Sequence, residues 1–279
     1  MIRTTQLKDK SNFLLNIFQV ALYNPLMLYF ELLCGASGDM ILASLVDLGV
    51  TPSYLEDRFR PLRIPGLKIQ RSRQIRAGQP CSQLQISWSE DSQREYRNLA
   101  SILSLLEHGN YAAGIVGTCR RILSRLAEAE SRVHGVPVDQ VHFHEIGAVD
   151  TVVDVLGFAL AVDYLRASRI RFSTLTVGSG TIDTAHGTLP VPAPATRDML
   201  TGFRVRTLAT GTEILTPTGC AILTACGRQV SRKPKGRLLG QGFGCGQKRI
   251  AGFSDYLRVL HLSENSPGEI QSASSTSSS

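Results

Sequence analysis

The stretch from Val149 to Leu165 constrains the fold most. Read as a helix, it places Val152, Val153, Val155, Leu156, Phe158, Leu160 and Val162 on nearly every side. A helix that is apolar all round is stable only when other elements cover it. The chain must therefore wrap this helix against a sheet or other helices. Its 279 residues, 43% of them hydrophobic and 19% charged, suffice for one large domain or two small ones. Asp150 and Asp154 stand four apart at the helix start, so both carboxylates share one face. A buried helix is a rigid support for such groups, which suits a site.

Just upstream, Val141-His142-Phe143-His144-Glu145-Ile146-Gly147 adds two imidazoles and a third carboxylate. If His142-Phe143-His144 is extended, both rings point to the same side, because strand side chains alternate. Gly147 then breaks the strand before the helix. His142, His144, Glu145, Asp150 and Asp154 can converge on one small volume. That donor set suits a zinc, nickel or iron type ion better than magnesium or calcium. A structural reading stands beside it: Asp150 caps the helix and His142 is a paired core histidine. Residue types alone leave both open.

Three other stretches carry site chemistry. Met27 to Leu33 reads as a buried strand entering Cys34-Gly35-Ala36-Ser37-Gly38-Asp39-Met40, with Ser37 placed to cap a helix from Asp39 to Leu48 that ends at Gly49. Small residues before a helix start leave its amides open to an anion. Asp39 is positioned to cap, to bind metal or to do neither. A strand from Ile170 to Val177 leads through Gly178-Ser179-Gly180-Thr181 to the loop Asp183-Thr184-Ala185-His186-Gly187. There His186, between small residues, is freer to face a ligand than His108 or His261. Leu189 to Thr196 follows, extended by its alternate prolines. Finally, Thr216 fits an N-cap and Pro217 the first turn of a helix from Thr218 to Cys226. The helix starts at Ser37, Asp150 and Thr216 suit an anionic substrate if they face one cleft.

Elsewhere, Leu67 to Ile75 and Cys81 to Trp88 alternate and form a hairpin around Ala77-Gly78-Gln79-Pro80. Helices are expected over Leu99 to Glu107 and Ala112 to His134. The second carries a core stripe of Ile115, Val116, Cys119, Ile122, Leu123, Leu126 and Val133, with His134 as a structural cation at its end. Gly240-Gln241-Gly242-Phe243-Gly244-Cys245-Gly246 lacks the strand before it and helix after it that a dinucleotide loop needs, so that reading is rejected. Tyr256 to Leu262 is a final strand. Short strands between unequal helices give a mixed α/β (α+β) fold, a mixed sheet with buried helices and an N-terminal hairpin.

The formal charge of +7 is spread along the chain without interleaved aromatics, which suits anionic small molecules and argues against nucleic acid. Six scattered cysteines, none at zinc-finger spacing, read as reduced cytosolic thiols, with Cys34 nearest a site. Residues 1–26 read as an extension outside the domain. Their run Phe13 to Leu22 imitates a signal peptide but holds Asn16 and Gln19 and lacks a small-residue cleavage site. No stretch of about 20 apolar residues offers a membrane span, so no membrane association and a cytoplasmic location are expected. Residues 27–262 form the expected domain, and 263–279 a disordered Ser-rich tail.

Four blocks, in order, carry a resemblance: Gly35 to Met40; His142-Phe143-His144-Glu145 through Asp154; Ala185-His186-Gly187 through Pro194-Ala195-Thr196; and Thr216-Pro217-Thr218-Gly219. Together they resemble the nickel insertion protein of nickel-pincer cofactor synthesis, the family that completes the cofactor of lactate racemase. The resemblance implies a nickel chelatase of the lyase class. Such an enzyme inserts nickel into pyridinium-3,5-bisthiocarboxylic acid mononucleotide, an anionic substrate, in a reaction that depends on CTP and a divalent cation. Under it, His142, His144, Glu145 and Asp154 hold metal, and Glu145 and Asp150 take up the proton lost when carbon is metallated. Ser37, Gly38, Asp39, His186, Thr216 and Thr218 line the substrate pocket. The chain departs from the family at three points. Glu31-Leu32 stands where members usually read Asp-Cys, Ser87 to Tyr96 holds no His-rich insert, and the C-terminal domain associated with CTP is not found beyond Leu262. The expectation is one of three: a separately encoded C-terminal partner, a truncated product, or lost insertion activity, with a non-catalytic nickel-binding or scaffold subunit as the alternative function. A metal-dependent hydrolase ranks third, because it leaves the four ordered blocks unexplained.

Overall fold

A computed structural model describes residues 25–89, 98–141, 148–184 and 187–264. Its strands are β1 (Leu26–Leu32), β2 (Lys68–Arg76), β3 (Gln79–Ser87), β4 (Ala167–Phe172), β5 (Leu175–Val177), β6 (Thr181–Thr184), β7 (Gly187–Pro190), β8 (Val205–Thr207), β9 (Arg228–Gln229), β10 (Arg237–Gly244) and β11 (Leu257–Ser263). Its α-helices are α1 (Gly38–Leu48), α2 (Pro52–Phe59), α3 (Leu99–His108), α4 (Ala113–His134), α5 (Ala148–Tyr164), α6 (Pro194–Met199) and α7 (Pro217–Cys226). One seven-stranded sheet runs in the order β2-β3-β10-β11-β1-β4-β9. It is mixed: β1 pairs antiparallel with β11 and parallel with β4. The pairs β5–β8 and β6–β7 form separate small sheets.

Alternation along β1 sets the two faces of the sheet. Leu26, Leu28, Phe30 and Leu32 enter the main core, while Met27 and Tyr29 pack with Leu260 and Leu262 in a small cluster of their own. On the main-core face α1 lies across β3, β10 and β11, and packs sideways on α5. α5 is in turn flanked by α2, α4 and α7. Val149, Val152, Val153, Val155, Leu156, Phe158 and Leu160 are all essentially inaccessible, as an all-apolar helix requires.

The glycine run from 240 to 246 is largely strand β10, and its residues explain the seating of α1. A Cβ on Gly242 would lie 2.1 Å from the Ser44 carbonyl oxygen, and one on Gly244 2.2 Å from that of Met40. These glycines let a helix backbone rest directly on a strand. Asp47 of α1 adds a polar tie, accepting from Arg71 Nη2 (2.5 Å), Ser82 Oγ (2.8 Å) and the Phe243 amide (2.9 Å).

Several expectations hold with small shifts in boundary. The hairpin turns on Ala77 and Gly78 alone, both at positive φ (47° and 79°), which suits the twist of a two-residue connection. The expected strand from Ile170 to Val177 is instead two, because the chain leaves β4 at Phe172 to start β5 in another sheet. Val133 does not join the core stripe of α4; it is 39% exposed. All six cysteines are free thiols, five of them buried. Among the described residues no helix is long and apolar enough to cross a membrane.

Candidate functional site

Three helix starts meet at one cavity of about 910 Å³. Ser37, Gly38 and Asp39 come from α1, Asp150 and Asp154 from α5, and Thr216, Pro217 and Thr218 from α7. Glycines let these starts approach so closely. A Cβ on Gly38 would sit 2.1 Å from Asp154 Oδ2, and one on Gly219 2.4 Å from the Ala36 carbonyl oxygen. The loops before α1 and α7 are paired besides: the Ala36 amide donates to Ile214 O (2.8 Å) and the Thr216 amide to Ala36 O (3.1 Å). Thr216 caps α7 as expected, its Oγ1 accepting from the Gly219 amide at 3.2 Å. Ser37 occupies the N-cap position of α1, yet its hydroxyl does not cap the helix; it donates to Asp39 Oδ1. The same Asp39 oxygen accepts from the Met40 amide at 2.8 Å.

All four sequence blocks reach the cavity through described residues, the third by Pro194 and Ala195. His142, His144, Glu145 and His186 lie outside the described residues. Sequence reasoning missed Glu130, His134, Glu213 and Gln247, which also line the cavity. His134 was assigned only to its helix end, but its Nε2 is 3.4 Å from Glu130 Oε2 one turn back. The i, i+4 spacing of Glu130 and His134 at the end of α4 was the available signal. Gln247 and Glu213 have none, since only tertiary folding brings them here. Cys34 is buried and does not line the cavity; burial pushes its thiol up to about 11.

The cavity is acidic. Its described lining holds the carboxylates of Asp39, Glu130, Asp150, Asp154, Asp183 and Glu213 and the imidazole of His134, but no Lys or Arg. Burial raises the pKa of Asp39 against the lowering effect of its hydrogen bonds. Asp150, the most open of the three aspartates at the helix starts, is pushed up to about 6 by burial and then by the charge of Asp39. Asp154 lies well above the ordinary carboxylate range, first through burial and then through Asp39 and Asp150. It is 9% exposed and accepts no hydrogen bond from a described residue. Asp39 thus raises the other two and Asp150 raises Asp154, so the group is short of positive charge. A cation or protons supply it. Among the described residues no group of three or more His, Cys, Asp and Glu is placed to hold a metal ion by itself.

A mixed α/β chain with an acidic cavity at three helix starts thus carries the four blocks in one place. The chain belongs to the nickel insertion protein family, whose match runs over residues 28–278. Relatives named for nickel insertion include one from Dictyoglomus thermophilum, 38% identical over 83% of this chain and 59% of its own length. Another, from Geobacter sulfurreducens, is 40% identical over 84% of this chain and 60% of its own length. The chain therefore spans about 60% of the length of the relatives it matches. No solved structure matches it.

Proposed function

We propose that this chain forms the metal-handling part of a nickel insertase, which places nickel into pyridinium-3,5-bisthiocarboxylic acid mononucleotide. The observation that carries the reading is the convergence of Asp39, Asp150 and Asp154 on one cavity lined by all four family blocks. In this reading nickel is substrate. It enters as the hydrated ion and is held by Asp154 with Asp39 beside it, joined by His142, His144 and Glu145, which leaves Asp150 free of the metal. Forming the carbon–nickel bond releases the proton of that carbon. Asp150, titrating near pH 6, is suited to take it, with Glu145 as a second acceptor. Because the described lining has no Lys or Arg, the anionic mononucleotide is held chiefly by its bond to the metal. The requirement for CTP with a divalent cation, the cytoplasmic setting and a C-terminal partner are part of the same proposal and rest on the family resemblance.

An insertion assay with nickel, CTP and the mononucleotide, with and without a family C-terminal domain in trans, tests it. Formation of the nickel–carbon product that falls at least about 100-fold in Asp150→Asn supports the reading. Nickel binding without product under either condition favours the scaffold subunit, and absence of nickel binding overturns both.

A further inference from the structure

A second concavity, of about 710 Å³, lies at the β9 edge of the large sheet and is opposite in character to the acidic cavity. Four guanidinium groups line it, from Arg171, Arg204, Arg228 and Arg232, and no carboxylate does so among the described residues. None of the four forms an ion pair with a described residue, although other arginines of the chain do so with Asp47, Asp198 and Asp255. Arg171 and Arg228 are direct cross-strand partners in the β4–β9 register. The pairing is parallel and holds the two positive charges side by side at the sheet edge, where a bound anion would offset them.

The site is also held in shape without a ligand. Gln229 clamps the segment carrying Arg204 from both sides: the Arg204 amide donates to its Oε1 and its Nε2 donates to the Arg204 carbonyl, each at 2.8 Å. The Val230 amide fixes the following turn to Phe172 O at 2.9 Å. Phe203, against Phe172 with ring centroids 5.9 Å apart, forms an apolar wall. The three segments that carry the arginines are therefore fixed relative to one another.

We propose that this pocket is a binding site for a small, multiply charged phosphate anion. Guanidinium forks match phosphate oxygens two at a time, and four of them call for more than one negative charge. The arginines are confined to three short segments, at Arg171, at Arg204 and from Arg228 to Arg232, which favours a discrete ligand over an extended acidic polypeptide. The proposal is independent of the nickel reading, since it shares no residue with the acidic cavity.

Calorimetric titration of the full chain with inorganic pyrophosphate tests it, on wild type, on R228Q/R232Q and on R120Q/R121Q. The last pair removes the same charge from exposed positions on α4. Saturable binding in wild type and in R120Q/R121Q is expected, with a loss of about tenfold or more in R228Q/R232Q and weakening in high salt. Nickel binding should be the same in all three proteins. A second arm uses a nucleoside triphosphate: tighter binding than pyrophosphate, lost in the same double variant, assigns the phosphate to a nucleotide, and equal binding assigns it to the free anion. No saturable binding of pyrophosphate, equal losses in both double variants, or displacement of pyrophosphate by polyglutamate at lower concentration would overturn the proposal.

Discussion

At the scale of single residues, His261 and Gly38 show how far a side chain is decided by its neighbours. His261 sits on β11 with its ring wholly buried, and neither nitrogen has a hydrogen-bond partner among the described residues. Burial lowers its pKa to about 4. The folded pKa lies below the unfolded value near 6.5, so the folded state binds fewer protons there. The stability this gives is complete above about pH 6.5 and is lost as pH falls toward 4. His261→Leu should remove that slope, which amounts to about 3 kcal/mol across the window; urea unfolding at pH 7.5 and 4.5 measures it, and identical slopes in variant and wild type would refute it. Asp39, Asp150 and Asp154 have the opposite sign. Their folded pKa values are raised, so the cost of charging them appears as pH rises from about 4 through 6, where Asp150 titrates. Asp154→Asn should therefore make the metal-free protein more stable at pH 7 than wild type while weakening nickel binding. Gly38→Ala should instead destabilise, since its methyl group would be forced onto the Asp154 carboxylate; a loss of about 1–3 kcal/mol is expected in the same urea assay.

At the scale of elements, what the sequence discloses depends on whether the physics is local. α5 was legible because nothing but burial on all sides stabilises so apolar a helix, and Thr216-Pro217 was legible because capping is decided within four residues. Thr51-Pro52 opens α2 by the same chemistry, its Oγ1 accepting from the Tyr54 amide at 3.2 Å, yet that helix has too few apolar positions for periodicity to mark it. The role of the glycines of β10 was not legible, because the helix they seat, α1, lies almost 200 positions away in the chain. The same holds for Arg76 and Asp255, a buried pair at 3.0 Å. Arg76 Nη2 and Gln83 Nε2 both donate to the Gly246 carbonyl, at 3.0 and 2.8 Å, and so fix the turn that brings Gln247 to the cavity. Asp255→Asn leaves a buried guanidinium without its counter-charge, and a loss of about 3–5 kcal/mol is expected in thermal or urea unfolding. A change under about 1 kcal/mol would show that the pair contributes little.

At the scale of the whole molecule, the chain separates charge. Its formal surplus of +7 coexists with an acidic cavity whose described lining has no Lys or Arg, while four arginines without an ion pair among the described residues gather at the far edge of the sheet. Net charge read from composition pointed toward anions and could not say where, because position is a property of the fold. The chemistry of the four blocks was legible, and Asp39, Asp150, Asp154, Thr216 and Thr218 do share one cavity. Its acidity was not legible, since Glu130, Asp183 and Glu213 come from segments with no common spacing. Nickel binding to that cavity is the central claim, and calorimetric titration of nickel into wild type and into Asp150→Asn with Asp154→Asn tests it most directly. The account predicts saturable binding in wild type that tightens from pH 5.5 to 7.5 as the aspartates lose protons, and a loss of at least about tenfold in the double variant. Nickel affinity unchanged in the double variant, with no dependence on pH, would contradict it.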